Sequence, residues 1–177
     1  MLFRSTNEAV DAAEVTMLMS IFGTIIFLCW LMFRQWQAVL SIILPLTLVS
    51  ILCNALMASL GIGLKVSTLP VIALGVGVGV DYGIYLYERF KHHLAESGMT
   101  IEAAFFAALR ERGTAAVFTA ITMSVSVGSW AFSALKFQAD MGILLAFMFL
   151  VNMLGAILLL PALAALLLSP APRAKQS

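Results

Sequence analysis

A carboxylate, a phenol and regularly spaced glycines stand together in the stretch "LGVGVGVDYGIYLYERF", from Leu74 to Phe90. Such glycines could form a phosphate-binding loop. A dinucleotide fingerprint, however, needs G-x-G-x-x-G, and a P-loop needs Lys-Ser or Lys-Thr after its glycines. Neither spacing occurs in this stretch. The sequence therefore excludes both nucleotide loops here, and we expect no cofactor.

On a helix the glycines have a different meaning. Gly75, Gly79 and Gly83 recur every four residues, so they form one small-residue face that another helix can approach closely. Gly77 and Asp81 point the opposite way around the same helix. We therefore expect this helix to lie between neighbours on two sides.

The composition predicts a membrane environment for this helix. Of the 177 residues, 62% are hydrophobic and 11% are charged, and the mean hydropathy is +1.04. An ordinary soluble domain is about half apolar and about a quarter charged. We interpret the chain as an integral membrane protein in contact with lipids. Its net charge of +1 gives no reason to expect a nucleic-acid partner.

Five runs are long enough to cross a bilayer as helices, which takes about 20 apolar residues each. We place these spans at about residues 15–33, 38–60, 66–87, 114–135 and 141–168. Residues 1–14 are then a lead-in outside the cytoplasm, and residues 169–177 form a cytoplasmic tail. The transmembrane domain as a whole is predicted to cover residues 15–168.

One longer loop separates the third and fourth spans. Thr100 could cap a helix there, and apolar residues recur at helical spacing behind it, which predicts a short amphipathic helix at about 101–112. It would lie on the inner membrane surface or pack its apolar face on the bundle. The predicted fold is all-α: a five-helix transmembrane bundle plus one short amphipathic interfacial helix.

Lys and Arg favour cytoplasmic loops, and they set the expected orientation. With the N-terminus outside, the cytoplasmic segments hold Arg34, Arg89, Lys91, Arg110, Arg112, Arg173 and Lys175, and the outer segments hold Arg4, Lys65 and Lys136. The bias predicts an N-terminus outside and a C-terminus in the cytoplasm.

Asp81 falls close to the middle of the third expected span. An ionised carboxylate there costs at least about 2.5 to 3.5 kcal/mol, so it must be protonated, paired or in contact with water. The predicted spans contain no Lys or Arg that could pair with it. Protonation is the least costly solution, and an acid whose charge depends on its surroundings can carry protons.

Hydroxyl side chains form a second pattern in the fourth span. The stripe consists of Thr119, Thr122, Ser126, Ser129 and Ser133, at alternating spacings of three and four. Hydroxyl groups donate and accept, so a stripe can relay protons toward a buried acid. Such residues also serve as packing faces and bond back to their own helix. Because a buried acid is near, we favour a polar path and expect Thr122 and Ser126 to face the bundle interior.

The sequence gives little indication of enzymatic catalysis or metal binding. The sequence has no nucleophile elbow, no H-E-x-x-H and no paired-cysteine motif, so we expect no enzyme. His92 and His93 lack spaced ligands beside them, so we expect solvated side chains and no metal site.

The residues "GVGVDYGIYLYERF" resemble the G-x-x-x-D-Y motif of the resistance-nodulation-division (RND) superfamily, in its MMPL-like branch of exporters. The stretches "TIEAAFFAALRERGTAAVFTAITMSVSVGSWAF" and "FQADMGILLAFMFLVNMLGAILLLPALAALL" resemble the helices that follow in the same family. The resemblance implies a proton-driven exporter of twelve helices in two halves, each half with a porter domain. The chain would be the last five helices, in the bacterial inner membrane.

The resemblance also implies site residues and partners. Asp81 and Tyr82 would form a proton relay by facing their counterparts in the other half. The partners would be the N-terminal half and the porter domains, and the cargo would be lipidic or hydrophobic. The drug-efflux branch has a lysine in the third helix, which is absent here. Two alternatives are a protein-export accessory of SecD/SecF type and a truncated remnant or scaffold that does not transport.

Overall fold

The structure is a computed structural model that describes residues 2–62, 69–96 and 98–167, and the regular structure in those ranges is entirely helical. Six α-helices follow one another in these ranges: α1 (Leu2–Phe33), α2 (Trp36–Ser59), α3 (Leu69–Glu96), α4 (Ile101–Ala108), α5 (Thr114–Gly128) and α6 (Lys136–Leu167). The predicted tail at 169–177 and Lys65 lie outside the described residues.

Within the residues that the structure describes, five helical stretches are long and apolar enough to cross a membrane. They are Val15–Phe33, Trp36–Ser59, Pro70–Ala95, Ile101–Phe132 and Lys136–Ala164. The shortest has 19 residues, which at about 1.5 Å per residue matches about 30 Å of hydrocarbon. The predicted fold class, an all-α membrane bundle with five spans, is confirmed.

The amphipathic segment is joined to the fourth span without a loop. Thr100 caps α4 as predicted, because its hydroxyl oxygen accepts a hydrogen bond from the Ala103 amide at 3.4 Å. After α4, a π-helical turn at Leu109–Gly113 leads into α5, and a 3₁₀ turn at Ser129–Phe132 follows α5. Ala104 and Ala108 are fully buried, and α4 packs on α3. The segment is therefore one continuous helical run that covers α3.

Several helices are longer than expected. The backbone of α1 is helical from Leu2, so most of the predicted lead-in continues the first span. Helix α3 continues past Tyr87 to Glu96, and α6 begins at Lys136. Hydropathy shows where the apolar run of a span ends. The helix itself can continue beyond that point, because its backbone hydrogen bonds do not depend on apolar side chains.

Helix α6 forms the centre of the bundle and packs against α2, α3 and α5. Its side chains Leu144, Leu145 and Met148 are almost fully buried. Since lipid tails are as apolar as these residues, close van der Waals contact and interhelical hydrogen bonds hold such helices together.

The glycine face of α3 makes that close contact. A methyl group on Gly75 would overlap Met148, one on Gly79 would overlap Asn152, and one on Gly83 would lie 3.1 Å from Ile42. Met148 and Asn152 belong to α6, and Ile42 belongs to α2. The three glycines therefore let both helices approach the backbone of α3.

Candidate functional site

Asp81 and Tyr82 are neighbours on α3 but face different surroundings. Asp81 lies on the exposed side of the helix, whereas Tyr82 is only 5% exposed. Asp81 lies eleven residues from Pro70 and fourteen from Ala95, the ends of the span. At about 1.5 Å per residue these are axial distances of about 17 and 21 Å. The carboxylate is therefore at mid-depth of the span.

A cavity of about 250 Å³ opens between α3, α5 and α6, and both residues line it. Its other polar side chains are Tyr85, Arg112 and Thr119. Its remaining wall is apolar and includes methionines of α5 and α6. The cavity thus brings a carboxylate, two phenols, a hydroxyl and a guanidinium to one apolar recess.

The Tyr82 hydroxyl has no hydrogen-bond partner among the described residues, although it is buried. The residue packs with Ala120 on α5 and with Met153 and Ala156 on α6. Leaving a buried hydroxyl unsatisfied costs about 1 to 3 kcal/mol. A hydrogen-bonding group that enters the cavity would recover that free energy, so this position is suited to a transient polar partner.

Asp81 likewise makes no hydrogen bond or ion pair with any residue that the structure describes. Arg112 lines the same cavity but forms no ion pair with Asp81. Sequence reasoning missed Arg112 because it assigned this residue to a surface segment. The signal was present, since Arg112 and Thr119 are seven residues apart and share one face if the helix is continuous.

The hydroxyl stripe faces outward from the bundle that this chain forms. Thr122 donates to the Phe118 carbonyl at 2.8 Å, Ser126 to the Thr122 carbonyl at 2.8 Å, and Ser129 to the Ser126 carbonyl at 2.7 Å. Of the stripe, the cavity includes only Thr119.

The expectation that Thr122 and Ser126 face the interior is therefore wrong for this bundle. The inward positions of α5 belong to Ala120 and Ser124. Ser124 donates to the Ala146 carbonyl of α6 at 3.2 Å. Smaller side chains occupy the contact because they allow the two backbones to approach.

An ionic cluster ties α3 to the π-helical turn. Glu111 accepts from Arg89 at 3.3 Å, and its other oxygen lies 3.2 Å from Nε2 of His93. The expectation that His93 is simply solvated is therefore wrong, and its side chain is only 19% exposed. The cluster holds the turn that carries Arg112 against α3.

These features define a multi-pass helical membrane protein with a titratable site at mid-depth of one span. The chain belongs to the MMPL family, whose model matches residues 2–176. This confirms the resemblance in the sequence, and it relates the chain to RND-type transporters.

Two curated relatives, each described only as a membrane protein, match parts of the chain. One, from Methanocaldococcus jannaschii, is 29% identical over 153 residues, which cover 86% of this chain and 39% of the relative. Another, from Streptomyces coelicolor, is 31% identical over 90 residues, which cover 51% of this chain and 13% of the relative. The chain thus spans well under half the length of either relative.

Proposed function

We propose that this chain is the transmembrane, proton-coupling part of a larger proton-driven exporter of RND type, with lipidic or hydrophobic cargo. The observation that carries this proposal is the position of Asp81: mid-depth in a span, unpaired among the described residues, and beside the buried, unsatisfied hydroxyl of Tyr82. Intramembrane acids of this kind commonly mark proton relays in transporters.

The energetics of coupling favour a role for Asp81. One charge that crosses a potential of 100 mV releases about 2.3 kcal/mol, and a pH difference adds to that. To use this energy, a group must be charged in one conformation and neutral in another. Asp81 qualifies because no counter-ion within the described residues fixes its charge. We therefore assign it proton transfer and not catalysis.

The exposed side of α3 supports the proposal of a larger assembly. Asp81 and Tyr85 lie on that side, and Thr122 and Ser126 are exposed on α5. Hydrocarbon cannot solvate a carboxylate, so protein or water must cover this surface. The chain also spans only 39% of the Methanocaldococcus relative. We propose that a second helical half covers the surface, with porter domains outside the membrane.

We further propose that the protein resides in the bacterial inner membrane with its N-terminus outside. The argument is the concentration of Lys and Arg at one end of the bundle. In this arrangement Tyr82 pairs with the acid of the facing half. Since Tyr82 is buried between α5 and α6 here, it meets that acid through the cavity.

The test uses the full-length product of the native gene in vesicles with an imposed pH gradient. Asp81→Asn keeps the shape and removes the titration, so it should abolish both gradient-dependent proton flux, read with an entrapped pH dye, and export of a fluorescent phospholipid. Asp140→Asn is the matched control, because Asp140 lies near the start of α6 and outside the cavity. It should transport normally.

Two results would contradict the proposal. Gradient-dependent transport by Asp81→Asn at normal abundance would make Asp81 a structural residue. Absence of any gradient-dependent transport by the intact wild-type protein would favour a scaffold without transport activity.

A further inference from the structure

A second cavity lies at the basic end of the bundle, which we define by Arg34, Arg89, Lys91, Arg110 and Arg112. It has a volume of about 220 Å³ and is lined by Gln35, Tyr87, Phe90, Lys91, Leu94 and Ala95. It is separate from the Asp81 cavity and shares no lining residue with it. We propose that this second cavity binds the headgroup region of one anionic phospholipid.

The floor of the cavity is aromatic and buried. Tyr87 and Phe90 are each only 1% exposed, and their ring centroids are 6.0 Å apart. Tyr87 also packs edge-on against Phe33 at 5.2 Å, which joins α3 to the end of α1. A buried floor of this kind keeps its shape, so it can receive the glycerol and the first methylene groups of a lipid.

The polar groups of the cavity have no partners within the described residues. Lys91 forms no ion pair, and the Tyr87 hydroxyl forms no hydrogen bond; unlike the Tyr82 hydroxyl, it is not fully enclosed by protein. Both groups are hydrogen-bond donors, and the oxygens of a phosphate diester accept hydrogen bonds and carry negative charge.

The turn between α1 and α2 completes the mouth of the cavity. Arg34 lies in the left-handed region with φ of 51°, which reverses the chain within two residues and is followed by Gln35 at the rim. Arg34 is exposed and adds a second positive charge beside that rim.

The depth of the cavity favours a lipid over a soluble anion. Trp30 and Trp36 flank the same turn with ring centroids 6.5 Å apart, and tryptophan prefers the level of the lipid headgroups. A volume of about 220 Å³ is enough for a headgroup but not for a whole lipid. The acyl chains would extend along the exposed apolar side chains of the bundle.

The test measures binding of phosphatidylglycerol to the full chain in detergent by native mass spectrometry. We expect one tightly retained lipid, and phosphatidylcholine should bind at least several-fold more weakly. Lys91→Gln should weaken phosphatidylglycerol binding about five-fold, since one lysine near an anionic headgroup is worth about 1 kcal/mol. Lys91→Arg should keep the affinity.

Arg110→Gln is the matched control, because Arg110 is exposed at the same end but does not line the cavity. It should bind like the wild type. If Lys91→Gln does not fold, Leu94→Trp fills the cavity without a change of charge and should displace the lipid.

Three results would overturn the proposal. Equal binding of phosphatidylcholine and phosphatidylglycerol would show that the cavity does not select for an anionic headgroup. An equal loss in Arg110→Gln would show diffuse attraction to the whole basic end. If inorganic phosphate alone raised the melting temperature as much as phosphatidylglycerol, the cavity would be a site for small anions.

Discussion

The Asn152 side-chain amide donates a hydrogen bond of 2.8 Å to the Gly75 carbonyl, and this bond joins α6 to α3 inside the bundle. The same amide group lies against Gly79, where no side chain separates it from the α3 backbone. The glycine face and the asparagine therefore form one interlocking contact one turn away from Asp81.

Gly79→Ala should destabilise the folded protein by about 1 to 3 kcal/mol, because the added methyl group overlaps the Asn152 amide. Thermal unfolding in detergent measures the effect. Gly77→Ala is the control, since no atom lies within 4 Å of a methyl group there, and it should leave stability unchanged or slightly raised because alanine favours the helix. Equal destabilisation by both variants would show that helix flexibility matters here and not the contact.

Tyr82→Phe should leave stability unchanged or slightly increased, because it removes a buried hydroxyl that has no partner. In the full-length protein the same variant should impair proton flux, since the hydroxyl is part of the proposed relay. The two measurements are unfolding in detergent and dye-reported flux in vesicles. A clear loss of stability would mean that the hydroxyl is hydrogen-bonded in the folded protein.

Ser124→Ala should cost more stability than the double variant Thr122→Ala with Ser126→Ala. Ser124 donates across helices to Ala146, and such bonds contribute about 0.6 kcal/mol on average. Thr122 and Ser126 donate to carbonyls of their own helix and are exposed. Comparison of unfolding midpoints tests this order, and the reverse order would contradict the packing of α5.

The double variant also tests the polar path in the full-length protein. If the stripe carries protons, proton flux should slow while stability is kept. Unchanged proton flux would show that the Thr122 and Ser126 hydroxyls have a structural role only.

Glu111→Gln should loosen the π-helical turn from α3 while it changes global stability by less than about 1 kcal/mol, because the ion pairs are partly exposed. Amide hydrogen exchange at residues 109–113 should become faster. Glu102→Gln is the control, since Glu102 is exposed in the first turn of α4 and contacts neither Arg89 nor His93. Unchanged exchange in Glu111→Gln would show that apolar packing of α4 alone holds the turn.

Single cysteines at Ser5, Ser97 and Ser177 test the orientation with an impermeant thiol reagent on intact cells. Only Ser5→Cys should react, because we expect the N-terminus outside. Ser97 and Ser177 lie outside the residues that the structure describes. Native Cys29 and Cys53 are buried and should give little background. Reaction of Ser97→Cys without Ser5→Cys would reverse the orientation.

Hydropathy along the chain was sufficient to predict five membrane helices, because the need to satisfy every backbone polar group in hydrocarbon leaves a long apolar segment few alternatives to a helix. The four-residue spacing of Gly75, Gly79 and Gly83 was sufficient to place them on one face, since it is close to the helical repeat of 3.6 residues. The Thr100 cap followed from local chemistry in the same way.

Tertiary structure decided which face each helix buries. Lipid and protein interior are both apolar, so apart from Asn152 the membrane part of α6 carries little that distinguishes the face that meets α2, α3 and α5 from the face that meets lipid. The hydroxyl stripe was assigned to the wrong side for the same reason: in a membrane, a polar stripe can face a partner as readily as the core.

The cavity at Asp81 also required the tertiary structure. Arg112 reaches it because α4, the π-helical turn and α5 form one uninterrupted helical run, and because Glu111 holds that turn against α3. These contacts join residues far apart in the chain, and their geometry depends on how closely whole helices pack. Sequence periodicity describes one helix at a time, so it determined the position of Asp81 along α3 but not the groups that surround it.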